Sequence, residues 1–401
     1  MSATVAVVIG TRPEAIKLAP VVTALRERAP ALRPLVVATA QHRELLDQVL
    51  RVFSIRPTID LALMRPDQPL PSLTAAAIER LAEVFAERKP AFVLVQGDTT
   101  TSFAGALAAF YHHIPVGHVE AGLRTDDRYR PYPEEINRRM TTSLAELHFC
   151  PTQVAARRLR AEGIPSERIL VTGNTVIDAL FATLRRPYRP PAALRPLYES
   201  GRQPLLLVTA HRRESHGAPL AAICEALRIL AERHPRLTVV YPVHPNPRVQ
   251  STAARILSGV PRVHLLPPLD YVAFVHLMRR ARILLTDSGG IQEEGPSLGI
   301  PVLVMRDVTE RPEAVAAGGA RLVGVRTERI VRETTRLLED REAYARMSRA
   351  GDVYGDGKAA RRIAAAVAAY LDPGGLRAHR LEPFRPRARR ARRRAPARSS
   401  R

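Results

Sequence analysis

Short apolar runs alternate with longer amphipathic stretches along this chain, and this order limits the possible folds more than any other feature. In the first half, the predicted strands are Val5–Ile9, Leu35–Ala38, Phe92–Gln96, Pro115–Glu120 and Leu147–Cys150. The predicted helices between them are 14–28, 45–53, 73–88, 100–112 and 154–162. A βαβα order of this kind predicts a parallel sheet that is covered by helices on both faces.

The alternation starts again after a Pro- and Arg-rich segment at 185–204. The second set of predicted strands is 205–209, 238–242, 263–266, 283–287 and 301–305, with helices at 219–234 and 271–279 among them and a last helix at 358–371. We therefore expect an α/β fold of two doubly wound domains with a deep cleft between them, where ligands bind at the carboxyl ends of the strands. The expected division is 1–172 for the first domain, 173–357 for the second, 358–373 for a helix that returns to the first, and 374–401 for a tail.

The net charge of +22 is unevenly distributed along the 401 residues. The basic tail, residues 374–401, contains 11 Arg and one Glu and so carries +10 of that charge. Its composition predicts a disordered segment that is dispensable for catalysis and able to touch nucleic acid or an anionic surface. The body carries no comparable block of charge, which argues against a nucleic-acid-binding protein.

The remaining composition indicates a cytoplasmic protein that needs no metal. No apolar run reaches the roughly 18 residues that a membrane span requires, and the first nine residues lack the basic start of a signal peptide. Cys150 and Cys224 are far apart and have no metal-like spacing. We expect no disulfide, metal or cofactor.

A glycine motif, Asp287–Glu294, directly follows the apolar run 281–285. Glycines allow the backbone to approach a ligand closely, and the free N–H groups at a helix start carry partial positive charge. Glu293 or Glu294, one turn later, could accept hydrogen bonds from sugar hydroxyls. Alone, the motif is equally consistent with an ordinary strand-to-helix turn, but here it predicts a phosphate site because similar segments end other strands.

Four such polar segments follow predicted strands: 10–14, 96–100, 117–124 and 209–215. Each could be a turn or a helix cap. Together they bring carboxylates, an imidazole and several arginines to the predicted cleft, which indicates an anionic, phosphorylated ligand and acid–base chemistry. From spacing alone, the function stays open between enzymes of nucleotide sugars and enzymes of phosphosugars.

At these residues the chain resembles the non-hydrolysing bacterial UDP-N-acetylglucosamine 2-epimerases. The matching blocks are Gly10–Lys17, Thr39–Arg43, Gly97–Thr100, His118–Thr125, Pro133–Arg138, His211–Ser215, Tyr241–Pro247, Thr286–Glu294 and Arg311–Ala314. They cover residues 4–372 in the family's order, and the basic tail lies outside them.

The resemblance implies two Rossmann-like domains of glycosyltransferase-B type and interconversion of UDP-GlcNAc and UDP-ManNAc. In this family UDP is eliminated across C1–C2, and it adds back to a 2-acetamidoglucal intermediate after reprotonation on the other face. The family's catalytic groups correspond to Asp98, Glu120, Glu134 and His211, without an assignment of each carboxylate to a sugar face. The substrate-binding residues it implies are Arg12, Lys17, Phe274, Ser288, Gly289, Gly290, Glu294 and Arg311.

Bacterial members also bind a second UDP-GlcNAc as an activator, at a site that corresponds here to Gln41, His42, Glu44, Arg212 and His244. The resemblance further implies a homodimer and a supply of precursors for cell-surface polysaccharide. Two enzyme classes remain as alternatives: a hydrolysing epimerase that releases ManNAc and UDP, and a UDP-sugar glycosyltransferase of the same fold.

Overall fold

The computed structural model describes residues 2–39, 43–65, 68–199, 203–210, 212, 217–374, 376 and 381–386. Two compact units form: one contains Met1–Arg189, Asp270–His276 and Tyr354–Arg385, and the other contains Pro190–Leu269 and Leu277–Val353. Among the described residues, no helix combines the length and the apolar character needed to cross a bilayer.

Strands and helices alternate along the described chain. The strands are β1 Ala3–Ile9, β2 Leu32–Ala38, β3 Ile59–Asp60, β4 Phe92–Gln96, β5 Val116–Val119, β6 Leu147–Cys150, β7 Ile169–Val171, β8 Leu205–Thr209, β9 Thr238–Pro242, β10 Val263–Leu266, β11 Ile283–Thr286, β12 Val302–Val304 and β13 Ala320–Leu322. The helices are α1 Arg12–Arg26, α2 Arg43–Val52, α3 Leu70–Arg88, α4 Thr100–Tyr111, α5 Glu134–Leu144, α6 Gln153–Ala161, α7 Thr175–Leu184, α8 Arg195–Glu199, α9 Ala218–Arg233, α10 Pro247–Leu257, α11 Tyr271–Arg280, α12 Gly289–Leu298, α13 Pro312–Ala316, α14 Thr327–Glu339, α15 Arg341–Ser348 and α16 Ala359–Leu371.

Each unit contains one sheet of parallel strands. The first sheet has the order β3-β2-β1-β4-β5-β6-β7, and the second has the order β10-β9-β8-β11-β12-β13. Both match the Rossmann order, in which the chain reverses direction across the sheet between two central strands. These switch points lie between β1 and β4 and between β8 and β11, so the predicted fold of two doubly wound sheets is confirmed.

Buried apolar strands explain why these sheets form. Val5 to Ile9 on β1 are all at most 1% exposed, because helices cover both faces of the strand. β8 repeats the pattern, with Leu205 to Val208 fully enclosed. Because neither face is polar, the carboxyl ends of the strands are left as the natural place for polar side chains.

The first unit extends beyond residue 172, where the sequence predicted its end. α7 packs against α1 in this unit, and α16 packs against both helices. Asp178 on α7 joins them, because its carboxylate accepts hydrogen bonds from the backbone N–H groups of Ala359 and Ala360 at 3.2 and 2.9 Å. The segment 173–189 therefore belongs with the first sheet.

Asp178 makes the stability of this helix junction dependent on pH. Burial raises the pKa of Asp178 to about 6, from its ordinary value of 3.8, although the two N–H donors act in the opposite direction. A raised carboxyl pKa means that the folded chain binds a proton more tightly than the unfolded chain, so the contribution of Asp178 to stability falls as pH rises from about 4 to about 6.

We expect Asp178→Asn to remove this pH dependence. The free energy of unfolding of the wild type, relative to Asp178→Asn, should fall by about 2 kcal/mol between pH 4 and pH 7, since one pKa unit corresponds to about 1.4 kcal/mol and part of the full effect lies below pH 4. Urea unfolding at four pH values measures this difference. Glu79→Gln, which neutralises an exposed carboxylate on α3, is the control. Parallel pH profiles for the wild type and Asp178→Asn would contradict the assignment.

Part of the basic tail is folded, contrary to the prediction of disorder from residue 374 onward. Phe384 is 1% exposed and belongs to the apolar cluster of the first unit that contains Val171, Leu159 and Cys150. Its backbone N–H donates to the carbonyl oxygen of Val171 on β7 at 2.7 Å. The arginine-rich composition of the tail predicted disorder, although the segment contains one large aromatic side chain that is buried in the core. Residues 387–401 of the predicted tail lie outside the described residues.

Candidate active site

A buried glutamate organises the chain at the end of β1. Glu14 closes the capping box of α1 with Thr11 and accepts the N–H of Gly10 at 2.9 Å. Its other oxygen accepts the hydroxyls of Thr99 at 2.6 Å and Ser102 at 3.0 Å, at the start of α4. Burial raises the pKa of Glu14, against the effect of these hydrogen bonds. Glu14 therefore ties the loops that follow β1 and β4 into one structure.

Glu120 follows β5 and points into the same sheet edge. Its backbone has φ = 65°, a left-handed conformation that is unusual for a residue with a side chain. One carboxylate oxygen accepts hydrogen bonds from both Lys17 on α1 and Gln96 at the end of β4. The other accepts from the side-chain amide of Asn174 at 3.3 Å. Three donors from three elements thus fix the Glu120 carboxylate.

Asp98 follows β4 and is the second carboxylate at this edge. Arg138 on α5 donates to its side chain, and the amide of Asn137 donates to its backbone carbonyl at 3.1 Å. A Cβ atom placed on the preceding residue, Gly97, would lie 4.0 Å from the Glu120 carboxylate. The Asp98 turn and the Glu120 carboxylate are therefore direct neighbours.

Glu134 begins α5, one turn before the residues that hold Asp98. Positions three and four apart share a helix face, so Glu134 lies on the face of Asn137 and Arg138. One oxygen of Glu134 is buried and makes no hydrogen bond to any described residue. The structure thus groups Asp98, Glu120 and Glu134, three of the four predicted catalytic residues, around the ends of β4 and β5.

His118 supports this group from inside the sheet. The pKa of His118 is lowered to about 3, mainly by burial, so its ring is neutral. A neutral ring that binds the carbonyl oxygen of Gly97 through Nε2, at 2.7 Å, must donate from that nitrogen. His118 therefore fixes the turn that carries Asp98.

The second unit presents an open helix start at its own switch point. Thr209 and Thr286, at the ends of β8 and β11, share a hydrogen bond of 2.6 Å, and Thr286 also accepts the N–H of Ser288 at 2.9 Å. Among the described residues, no side chain caps α12, and no heavy atom lies within 4 Å of a Cβ placed on Gly289. The first turn of α12 has the polarity and the space to bind an anion.

Glu293 and Glu294, on the first turns of α12, have different surroundings. The guanidinium of Arg311 donates to Glu293, so this carboxylate holds a cation near the helix start. A Cβ placed on Gly290 would lie 3.9 Å from the Glu294 carboxylate. Of the two glutamates, Glu294 is therefore the one beside the glycine turn.

Glu310 connects the arginines of this unit. It binds Arg212 at 3.1 Å and Arg306 at 2.5 Å. Burial alone would raise the pKa of Glu310, but Arg212, Arg306 and Arg311 together hold it at about 2. Arg212 also donates its backbone N–H to Asp287 at 2.9 Å. Arg212, predicted as part of an activator site, is thus connected to the loop that precedes α12.

The other predicted residues have varied locations. Arg12 is half-buried at the start of α1, Phe274 is half-buried on α11, and His244 is exposed after β9. The catalytic candidate His211 and the activator candidates Gln41 and His42 lie outside the described residues, as does the side chain of Glu44. In the part of the chain that the structure describes, no cluster of His, Cys, Asp or Glu could hold a metal ion.

Several residues of the site were absent from the sequence-based prediction. They are Glu14, Gln96, His118, Asn174 and Glu310. Lys17 was predicted to bind substrate, but in the structure it pairs with Glu120. Glu14, Gln96 and His118 lie in the polar segments at strand ends, which was their signal, whereas Asn174 and Glu310 act through contacts between distant parts of the chain.

Two Rossmann-ordered sheets, one in each unit, are the fold of the glycosyltransferase-B class of α/β proteins. A glycotransferase of kitacinnamycin shares this fold, with a TM-score of 0.64 at 14% identity over 93% of this chain and all of its own. At that identity, the similarity concerns the fold alone.

A protein family described as UDP-N-acetylglucosamine 2-epimerase matches residues 24–368. The enzyme of that name from Yersinia pestis is 53% identical over 90% of this chain and 97% of its own. Crystal structures from Listeria monocytogenes, described as a putative enzyme of this name, and from Neisseria meningitidis, bound to UDP-GlcNAc, have TM-scores of 0.88 and 0.82. They are 45% and 46% identical, over 96% and 91% of this chain and 100% and 99% of theirs. The chain belongs to the UDP-N-acetylglucosamine 2-epimerase family.

Proposed function

We propose that the protein interconverts UDP-GlcNAc and UDP-ManNAc without hydrolysis, by eliminating UDP and adding it back. The observation that carries this proposal is the grouping of Asp98, Glu120 and Glu134 at one sheet edge. A glycosyltransferase of this fold has no comparable need for three carboxylates, whereas inversion at C2 needs proton transfer on both faces of the sugar.

The open start of α12 supports a role for the second unit in holding UDP. Ser288, Gly289 and Gly290 would bind the diphosphate through backbone N–H groups, and Glu294 would bind the ribose. We assign Arg12 and Arg311 to the neutralisation of the diphosphate and Phe274 to contact with the uracil. The complex of the Neisseria meningitidis relative with UDP-GlcNAc agrees with this ligand.

The chemistry begins with a C2 proton that is not acidic enough for simple abstraction. A carboxylate of the first unit removes it while the C1–O bond to UDP breaks, which yields 2-acetamidoglucal and UDP. Protonation of C2 on the opposite face and attack of UDP on C1 complete the exchange. Lys17, Gln96 and Asn174 all donate to Glu120, so this carboxylate is held in one position at the sheet edge where the proton transfer is proposed.

Three further assignments complete the proposal. A second UDP-GlcNAc that activates the enzyme would bind at Gln41, His42, Glu44, Arg212 and His244. The contacts of Arg212 with Asp287 and Glu310 would connect this activator to the α12 loop.

Exposed Phe110 and Tyr111 at the end of α4 would support a homodimer. The buried free thiols of Cys150 and Cys224 suit a cytoplasmic enzyme, which would supply polysaccharide precursors.

We expect UDP-GlcNAc alone, in deuterated water, to be converted to UDP-ManNAc with deuterium at C2. The deuterium enters because the intermediate is reprotonated by a group that exchanges with solvent. Proton NMR and mass spectrometry of the products measure both changes. Release of free ManNAc and UDP would indicate a hydrolysing enzyme instead, and unchanged UDP-GlcNAc would favour a glycosyltransferase.

A further inference from the structure

The folded part of the basic tail docks on the edge strand of the first sheet. Phe384 is enclosed by an apolar cluster that includes Val171 on β7 and Ala121, the residue after Glu120. Its backbone N–H also donates one hydrogen bond to Val171 on the edge strand β7. Both neighbours of Phe384 in the chain are exposed, so a single side chain anchors this segment.

The residues that follow β7 are held by two hydrogen bonds with C-terminal residues and lie beside the ring of Phe384. Arg362 on α16 donates to the carbonyl oxygen of Thr172 at 3.1 Å, and the carbonyl oxygen of Tyr354 accepts the N–H of Asn174 at 2.6 Å. A Cβ placed on Gly173 would lie 3.5 Å from the ring of Phe384. The guanidinium of Arg362 also lies 5.7 Å from that ring. Phe384 thus closes one side of the segment 172–174.

Asn174 makes this segment relevant to the carboxylates. Its side-chain oxygen caps α7 by accepting the N–H of Val176 at 3.1 Å, and its amide nitrogen donates to Glu120. Because both ends of the side chain are used, a shift of the backbone at residue 174 changes the position from which the amide reaches Glu120.

We propose that Phe384 is a positioning residue for the reaction, acting through Asn174 on the Glu120 carboxylate. This inference rests on the proposed function, because it takes Glu120 as a catalytic group. It assigns a role to a residue outside the matched family region, which ends at residue 368. The earlier expectation that the whole tail is dispensable then holds only for the residues after 386.

The test compares Phe384→Ala with Phe384→Leu and with Arg385→Ala, an exposed neighbour. We expect Phe384→Ala to lower kcat about tenfold, which is less than the roughly 10²–10⁴ that a positioned acid or base contributes, because Glu120 is displaced and not removed. KM should stay within about twofold, because the proposed path from Phe384 leads to Glu120 and not to the residues assigned to UDP. Phe384→Leu should recover most of the loss, and Arg385→Ala should match the wild type. A chain that ends after Pro386 should also keep full activity.

A double-mutant cycle separates positioning from general stabilisation. Asn174→Ser keeps an N-cap for α7 but removes the amide donor. If Phe384 acts mainly through Asn174, adding Phe384→Ala to this variant should lower kcat by less than threefold, since coupled residues are not additive. An equal tenfold loss in both backgrounds would overturn the proposal, as would a wild-type kcat in Phe384→Ala.

Hydrogen exchange tests the same contact without activity. Peptides that cover residues 116–124 and 172–176 should exchange faster in Phe384→Ala than in Arg385→Ala, while peptides of β8 and β11 stay unchanged. Uniformly faster exchange would show that Phe384 only stabilises the fold, which would overturn the inference. A wild type that converts no UDP-GlcNAc would refute the proposed function, and with it the positioning role of Phe384.

Discussion

Glu120→Gln is expected to lower kcat for epimerisation by about 10²–10⁴, the usual contribution of a positioned acid or base. The amide keeps the size of the side chain but cannot act as an acid or a base. Its single oxygen also cannot serve both the Lys17 and Gln96 donors and the Asn174 donor, which the two carboxylate oxygens accept separately. Affinity for UDP should stay within about twofold, because Glu120 is not among the residues assigned to UDP.

Steady-state kinetics with UDP-GlcNAc and calorimetric titration with UDP measure the two expectations for Glu120→Gln separately. Glu27→Gln is a matched control, since it makes the same chemical change on an exposed side chain of the first unit. A Glu120→Gln variant that turns over at the wild-type rate would remove Glu120 from the mechanism. Loss of UDP binding together with turnover would instead indicate damage to the fold.

Gly289→Ala should weaken UDP binding by about 10- to 100-fold, which corresponds to about 1.4–2.7 kcal/mol. The added methyl group would occupy the space over the first turn of α12, where the diphosphate is proposed to approach the backbone. The same change should leave the melting temperature unchanged or slightly higher, because alanine favours a helix more than glycine does. We therefore expect Gly289→Ala to lose UDP affinity without losing thermal stability.

Gly295→Ala, on the same helix, should have the opposite effect: it should lower the melting temperature without specifically removing the UDP site. A Cβ there would collide with Val302 and lie 2.7 Å from Leu284, so the helix could not pack on β11 and β12 without moving. Thermal unfolding and UDP titration of both variants form one experiment. Unchanged UDP affinity in Gly289→Ala would exclude this helix start as the diphosphate site.

The sequence predicted most of the fold because long buried strands leave a clear pattern. Val5–Ile9 and Leu205–Thr209 are apolar throughout, as strands covered on both faces must be. β3, β7 and β13 were not predicted, and each has only two or three residues. β12 is equally short, but it was predicted because apolar residues flank it on both sides. β3 and β7 are positioned by hydrogen bonds to the longer strands β2 and β6.

The candidate site was predictable only in part, for a related reason. Asp98 and Glu120 stand at strand ends, and strand ends can be found from local sequence. Lys17 and Glu120 are 103 residues apart, and no local pattern connects them. Phe384 was missed because the average composition of an arginine-rich segment conceals a single buried aromatic side chain.

The left-handed backbone of Glu120 has a consequence for any effort to engineer this protein. A residue with a Cβ atom pays roughly 1–2 kcal/mol for this conformation, and glycine does not. Glycine at position 120 would remove this cost but would also take from Lys17, Gln96 and Asn174 the acceptor that they share. A variant library from this chain has to be screened for turnover and heat resistance together, because the residue at position 120 affects both properties.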